Sequence, residues 1–350
     1  MTTERSVELA ALAQLSARIG SDVKLVQGSG GNTSIKIGGV LWVKASGTWL
    51  ADAARREIFV PVDLEGARRA LVAGVDKMPL LSEADGSGLR CSIETSLHAL
   101  MPHPVVLHLH AVNTIAWAVR RDGQSELQRR LSGLSWALLS YRRPGLPLSA
   151  AVAAATSGRT LDVLILGNHG LVVGGEDCNA AEALMHDVER RLEAPERPAP
   201  TGDRARLQAL CAESDYRPAG FEECHGLATD PYNLTIATGG SLYPDHVVFL
   251  GSGVRTLRAD ERIADMARSF AARAMPCPAV MLVPGKGALV RSDLLPGAEA
   301  LLRCQAFVIG RLPLDAVATY LPEEEERALL DWDAEHYRKA IAKTGEALVR

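Results

Sequence analysis

The chain has 350 residues, 47% of them hydrophobic and 23% charged, and its 38 basic and 42 acidic side chains leave a formal net charge of −4. That is an ordinary globular composition of a length that calls for two cores, and without a basic cluster it lacks the electrostatic footprint of a nucleic-acid binder. No apolar run approaches the ~20 residues that span a bilayer, the first residues lack a secretory signal pattern, and six scattered cysteines without a CxxC pair point to reduced thiols in a cytoplasm and away from a cysteine zinc site.

In chain order, "SVELAALAQLSARIG" (6–20) reads as an amphipathic helix stopped by Gly20. Two β-rich runs follow, "TSIKI" and "VLWVKA", joined by "GG" as in a hairpin. Residues 64–73 read as a helix, as does "SIETSLHALMP" (92–102), which Pro102 ends. "VVLHLH" (105–110) is a strand, "VNTIAWAVRR" (112–121) a helix, and "LDVLILGNHGLVVGG" (161–175) two buried strands around a turn. "NAAEALMHDVERRLEA" (179–194) is a further helix.

Three prolines, Pro195, Pro198 and Pro200, then break the helical pattern. This divides the chain into a catalytic domain over 1–193, a Pro-rich linker over 194–205 and an accessory α/β domain over 206–350. In the last, "HVVFLG" (246–251), "AVMLVPG" (279–285) and "QAFVIG" (305–310) read as strands, alternating with helical "DERIADMARSFAARA" (260–274) and "PGAEALLRCQ" (296–305). A charged helix, "EEEERALLDWDAEHYRKAIAK" (323–343), follows; its Trp332 and Tyr337 read as packing residues. Strands and helices mix without a regular βαβ rhythm, so the first domain reads as layered α/β with a partly antiparallel sheet.

The chemistry concentrates in the first domain. On a strand, His108 and His110 point to one face about 6–7 Å apart. His169, between Gly167 and Gly170, is the best third imidazole, and three histidine ligands leave a metal open to water or substrate. "GSGGNTS" (28–34) offers unobstructed backbone N–H groups with Ser29, Asn32 and Thr33, a nest suited to an anion. "KASG" (44–47) supplies a second such turn, with Ser46 and Gly47. Glu94 lies at the first turn of the helix before the histidine strand, where a dipole partner would also sit. His98, four residues on, reads as a satisfied core histidine, and Asp245 and His246 as a hydrogen-bonded structural pair.

The order of "GGNTS", "SG", "SxE", "HxH" and "NHG" resembles the class II aldolase/adducin family over about residues 5–193. The resemblance implies a three-layer αβα sandwich around a largely antiparallel sheet, and a homo-oligomer with its cleft shared between subunits. It further implies zinc, or another divalent cation, on His108, His110 and His169, with Glu94 as catalytic acid/base. Ser29, Asn32, Ser46, Gly47 and Ser92 match the family's phosphate-binding positions. Ile93 stands where small members often carry a second serine before the glutamate, and the family's proton-donating tyrosine has no clear counterpart. "YPDHVVFLG", "VPGKG" and "LLDWDAEHYRKA" are similar to the segment after the aldolase domain in bifunctional rhamnulose-1-phosphate aldolase/lactaldehyde dehydrogenases, although no GxGxxG follows a strand here.

The expected activity is therefore aldol cleavage of a ketose 1-phosphate or related sugar phosphate through a metal-stabilised enediolate. Apolar Ile93 and Leu97 are expected to raise the Glu94 pKa for its proton-carrying role. Decarboxylation of a 3-oxo-4-phospho sugar acid is the alternative on the same metal, and a non-catalytic adducin-like scaffold the alternative in another class.

Overall fold

The structure is a computed structural model that describes residues 3–75, 77–81 and 88–347. The chain forms two units. One gathers Met1–Ala118, Asp122–Glu193 and Trp332–Arg350; the other gathers Val119–Arg121 and Ala194–Asp331.

The first unit is built on a seven-stranded sheet: β1 (Asn32–Ile37), β2 (Val40–Lys44), β3 (Phe59–Asp63), β4 (Val105–Leu109), β5 (Trp136–Leu139), β6 (Val163–Leu166) and β7 (Gly170–Gly175). Its order is β3-β2-β1-β4-β7-β6-β5. All neighbours are antiparallel except β5 and β6. The β1–β2 hairpin turns through Gly38 (φ 56°) and Gly39 (φ 81°), the left-handed pair that a two-residue hairpin needs.

Strand alternation then sorts the side chains. Val106, Val172 and Leu164 pack with Leu97, Met101, Leu148 and Val152 of the helices Thr95–Leu100 and Leu146–Thr156 and the turn that follows the first of them. His108 and His110 share the parity of Val106, so they face this same helical layer. Helices Thr3–Gly20, Val112–Ala118 and Cys178–Arg191 form the third layer, packing on β1, β4, β6 and β7. The outcome is an α/β sandwich of three layers with a mostly antiparallel sheet.

The helix Asp333–Ala347 also belongs to this unit, although the charged segment was expected in the second domain. It lies directly on the Gly47 turn. A Cβ on Gly47 would stand 2.7 Å from Ile341 Cβ and 2.8 Å from the Arg338 carbonyl oxygen.

The second unit carries a smaller sheet of β8 (Tyr216–Pro218), β9 (Arg255–Thr256), β10 (Val280–Val283) and β11 (Gly287–Arg291), in the order β8-β11-β10-β9. Leu207, Tyr216, Ile263, Met266, Met281 and Leu289 make its core. Two expected strands are helices instead. "HVVFLG" lies in the helix Pro244–Leu250 and its C-terminal glycine, and "QAFVIG" completes the helix Pro296–Gly310. Both helices carry proline at the first turn, which presets helical φ. Both are almost wholly buried, and burial on all sides removes the periodicity that distinguishes a helix from a strand.

Candidate metal centre

The histidines meet because two strand pairings fix their level. Leu109 of β4 pairs with Leu171 of β7, so the end of β4 that leads into His110 lies beside the start of β7 that follows His169. His169 is delivered by a tight turn in which its N–H donates to the Leu166 carbonyl (3.1 Å) and Asn168 takes φ 52°. Asparagine tolerates that left-handed geometry better than other residues with a side chain. Gly170 is required by packing against the neighbouring strand rather than by room for a ligand: a Cβ there would lie 2.2 Å from the Leu109 carbonyl oxygen. Gly31 (φ 60°) plays the same part on the other side of β4, where a Cβ would lie 2.9 Å from the His108 carbonyl oxygen.

The imidazoles of His108, His110 and His169 are buried, and one ring nitrogen from each lies within 4.8 Å of the others. Their ring centroids are 4.9–5.3 Å apart. The His108 Nδ1 is 3.1 Å from the Leu171 carbonyl oxygen, and a proton on Nδ1 would leave Nε2 as the ligand atom. Three converging imidazoles with a carboxylate beside them fit a zinc-like cation with open positions.

Glu94 stands at the N-cap of the helix Thr95–Leu100 and turns its carboxylate to the histidines. Its Oε2 is 3.2 Å from His108 Nε2 and its Oε1 3.3 Å from His169 Nε2. Burial raises its proton affinity, as the apolar neighbours led us to expect. The neighbouring His108 and His169 side chains, with a smaller part from His110, outweigh burial and hold the carboxyl well below the usual range. The expected rise in pKa is thus reversed by the histidines beside the carboxylate.

Asn32 reaches this carboxylate, and Ser92 holds Asn32 and the Glu94 backbone. Asn32 Nδ2 donates to Glu94 Oε2 (2.9 Å) and to Ser92 Oγ (3.1 Å), and the Glu94 N–H donates to Ser92 Oγ (3.2 Å). The Asn32 side-chain carbonyl is held by His98 Nε2, whose Nδ1 is 2.7 Å from Ser34 Oγ. With Asn32 Oδ1 able only to accept, His98 carries its proton on Nε2, and Nδ1 accepts from Ser34. Burial lowers the His98 pKa to about 3, with the charge at His108 adding to the effect, so the ring is neutral. His98 is the satisfied core histidine that its helical position suggested. Its link through Asn32 to Glu94 is a feature that helical spacing alone does not reveal.

Ser29 is buried, and its Oγ finds no hydrogen-bond partner among the described residues. The carbonyls of Ser29 and Gly31 both accept from the buried Lys44 ammonium at 2.9 Å, which stiffens the glycine loop. Ser46 and Ser92 line one cavity of about 570 Å³, whose wall also includes Arg90, Ile93, Trp332 and Tyr337. Gly47 is covered by the last helix. In the second unit, His246 is fully buried with neither ring nitrogen hydrogen-bonded among the described residues, so the expected pairing with Asp245 is not formed.

Residues 10–194 match the family model for the class II aldolase and adducin N-terminal domain. An oxidoreductase named YuxG from Bacillus subtilis (strain 168), described as uncharacterized, is 32% identical over 178 residues. Those residues are 45% of this chain and only 25% of that protein, so the chain spans a quarter of the relative's length. Among solved structures, the N-terminal class II aldolase domain of a conserved protein from Thermoplasma acidophilum is 26% identical. That match covers 52% of this chain and 90% of the other, with a TM-score of 0.43. L-fuculose-1-phosphate aldolase from Thermus thermophilus is 21% identical, over 54% and 93% of the two chains, with a TM-score of 0.38. No described helix is long and apolar enough to cross a membrane. With more than half of its residues inside that family model, the chain belongs to the class II aldolase and adducin family.

Proposed function

We propose that the chain is a divalent-metal-dependent lyase that cleaves a phosphorylated 2-oxo sugar by a retro-aldol step. The observation that carries this reading is the meeting of three buried imidazoles with the Glu94 carboxylate. When bound by His108, His110 and His169, zinc or a similar cation supplies a Lewis acid for the carbonyl and adjoining hydroxyl of the substrate. The chain's own residues do the rest. Glu94, ionised at neutral pH, would take the hydroxyl proton of the departing carbon as the carbon–carbon bond breaks and return it to the carbon beside the carbonyl. Asn32, itself held by Ser92, fixes the carboxylate's direction, so the proton moves along one path. We assign the phosphate of the substrate to Ser29, Ser46 and Ser92, the Gly47 turn being covered by the helix Asp333–Ala347.

The test is a screen of zinc-loaded protein against ketose 1-phosphates and 3-oxo-4-phospho sugar acids, with metal content measured in parallel. Release of an aldehyde from a ketose phosphate supports the proposal, and release of carbon dioxide from an acid would redirect it to decarboxylation on the same residues. Absence of metal in the purified chain, together with no turnover of either class, would reduce it to a scaffold. A homo-oligomer sharing its cleft between subunits is part of the same proposal and is checked by sedimentation.

A further inference from the structure

The cavity beside Ser46 and Ser92 has a lining that the lyase reading does not account for. Among its described lining residues the charged groups are Lys77 and Arg90, both cationic, with no carboxylate between them. Ile93 contributes an apolar side chain, and Trp332 and Tyr337, far along the chain, also line the cavity. The Arg90 guanidinium lies 4.4 Å from the centre of the Tyr337 ring, so its orientation is set by the aromatic face. Tyr337 also ties down the backbone that carries Arg90. Its hydroxyl accepts from the Arg90 N–H (3.2 Å) and donates to the Gly88 carbonyl (3.3 Å). The Ser46 N–H in turn donates to the Arg90 carbonyl (2.9 Å), which joins this wall to the serine turn.

We propose that Arg90, oriented by Tyr337, receives the phosphate of the substrate, so that the helix Asp333–Ala347 helps select a phosphorylated over a neutral sugar. A planar guanidinium with five donors matches a phosphate dianion in a way that serine hydroxyls cannot. Arg90 lines the same cavity as Ser46 and Ser92, and the next residue, Cys91, bridges to Ala45. Ser92 Oγ accepts from the Glu94 N–H (3.2 Å), so the serine on this wall adjoins the acid/base candidate along the chain. Tyr337 is a positioning residue. The proposal rests on the lyase reading for the rest of the substrate, but not for the phosphate contact itself.

Calorimetry on the full, zinc-loaded chain tests it with three probes: inorganic phosphate, dihydroxyacetone phosphate and dihydroxyacetone. Arg90→Met should weaken both phosphate-bearing probes by about tenfold or more, the scale of one lost charge-assisted contact, and leave dihydroxyacetone within about twofold. Tyr337→Phe keeps the ring but removes the hydroxyl, and should lower the preference for dihydroxyacetone phosphate over dihydroxyacetone by about threefold to tenfold without unfolding the chain. Unchanged phosphate affinity in Arg90→Met, an equal loss on all three probes, or no phosphate binding by the wild type would each overturn the proposal. His110→Ala separates the two ideas. It should abolish dihydroxyacetone binding and spare inorganic phosphate; retained dihydroxyacetone binding would sink the metal-dependent reading while the phosphate result still decides Arg90.

Discussion

Asn32 and His98 form one continuous link to the acid/base candidate: the His98 ring holds the Asn32 side-chain carbonyl, and the Asn32 amide donates to Glu94 at 2.9 Å. The pair spans β1 and the helix Thr95–Leu100, so the direction of the carboxylate depends on how sheet and helix pack. Asn32→Ala should therefore lower kcat by about 10- to 100-fold, the scale of a lost orienting partner, with zinc content unchanged. Single-turnover kinetics and metal analysis on the same sample would check both halves; a loss of zinc would make Asn32 part of the metal site.

Glu94→Gln should keep the metal and lose about 10²–10⁴-fold in turnover, because an amide preserves shape and hydrogen bonding but carries no transferable proton. Proton exchange at the carbon beside the carbonyl, followed by NMR in deuterated water, should fall in step with turnover. Exchange at the wild-type rate would remove Glu94 from the proton path.

Gly170→Ala should disturb the site through the backbone. The added Cβ meets the Leu109 carbonyl oxygen at 2.2 Å, so β4 and β7 must separate, at a cost of about 1–3 kcal/mol. Gly38→Ala is the control. Its Cβ would enter open space, and the φ of 56° sets a smaller penalty, about 1–2 kcal/mol. Denaturant melts should show a stability loss in both variants, but weaker zinc binding in Gly170→Ala alone.

His98 makes stability depend on pH. In the unfolded chain it takes a proton near its ordinary value of 6.5; in the folded chain burial delays this to about 3. Between those values the unfolded state holds more protons, so stability from this group is full above about 6.5 and declines as pH falls toward 3. Urea melts of metal-free protein from pH 7 to 4 should show that decline, and His98→Gln should flatten it. An equal slope in the variant would assign the decline to other groups.

The first unit was legible where side chains alternate or turns are short. The strand parity of His108 and His110, the "GG" hairpin and the turn carrying His169 all express local rules that hold in the folded chain. The Glu94 environment was not, because its pKa is set by histidines brought from other parts of the sheet, while adjacent Ile93 and Leu97 suggested only burial. The helices holding "HVVFLG" and "QAFVIG" escaped for a related reason: a segment buried on every side has no polar face to reveal its period. Trp332 and Tyr337 read as packing residues because nothing in a single sequence ties them to Arg90, which lies 247 positions before Tyr337.

That long separation bears on how the protein is made. The sheet, the histidines and Glu94 have all left the ribosome well before residue 332, and the whole of Ala194–Asp331 is synthesised before the helix that rests on the Gly47 turn. At a typical 5–20 residues per second, roughly ten seconds or more separate Arg90 from Tyr337. During that interval the Gly47 turn lacks the contacts with Arg338 and Ile341 that cover it in the folded chain. A stalled or C-terminally clipped chain would thus carry its metal ligands in place and an open flank beside them.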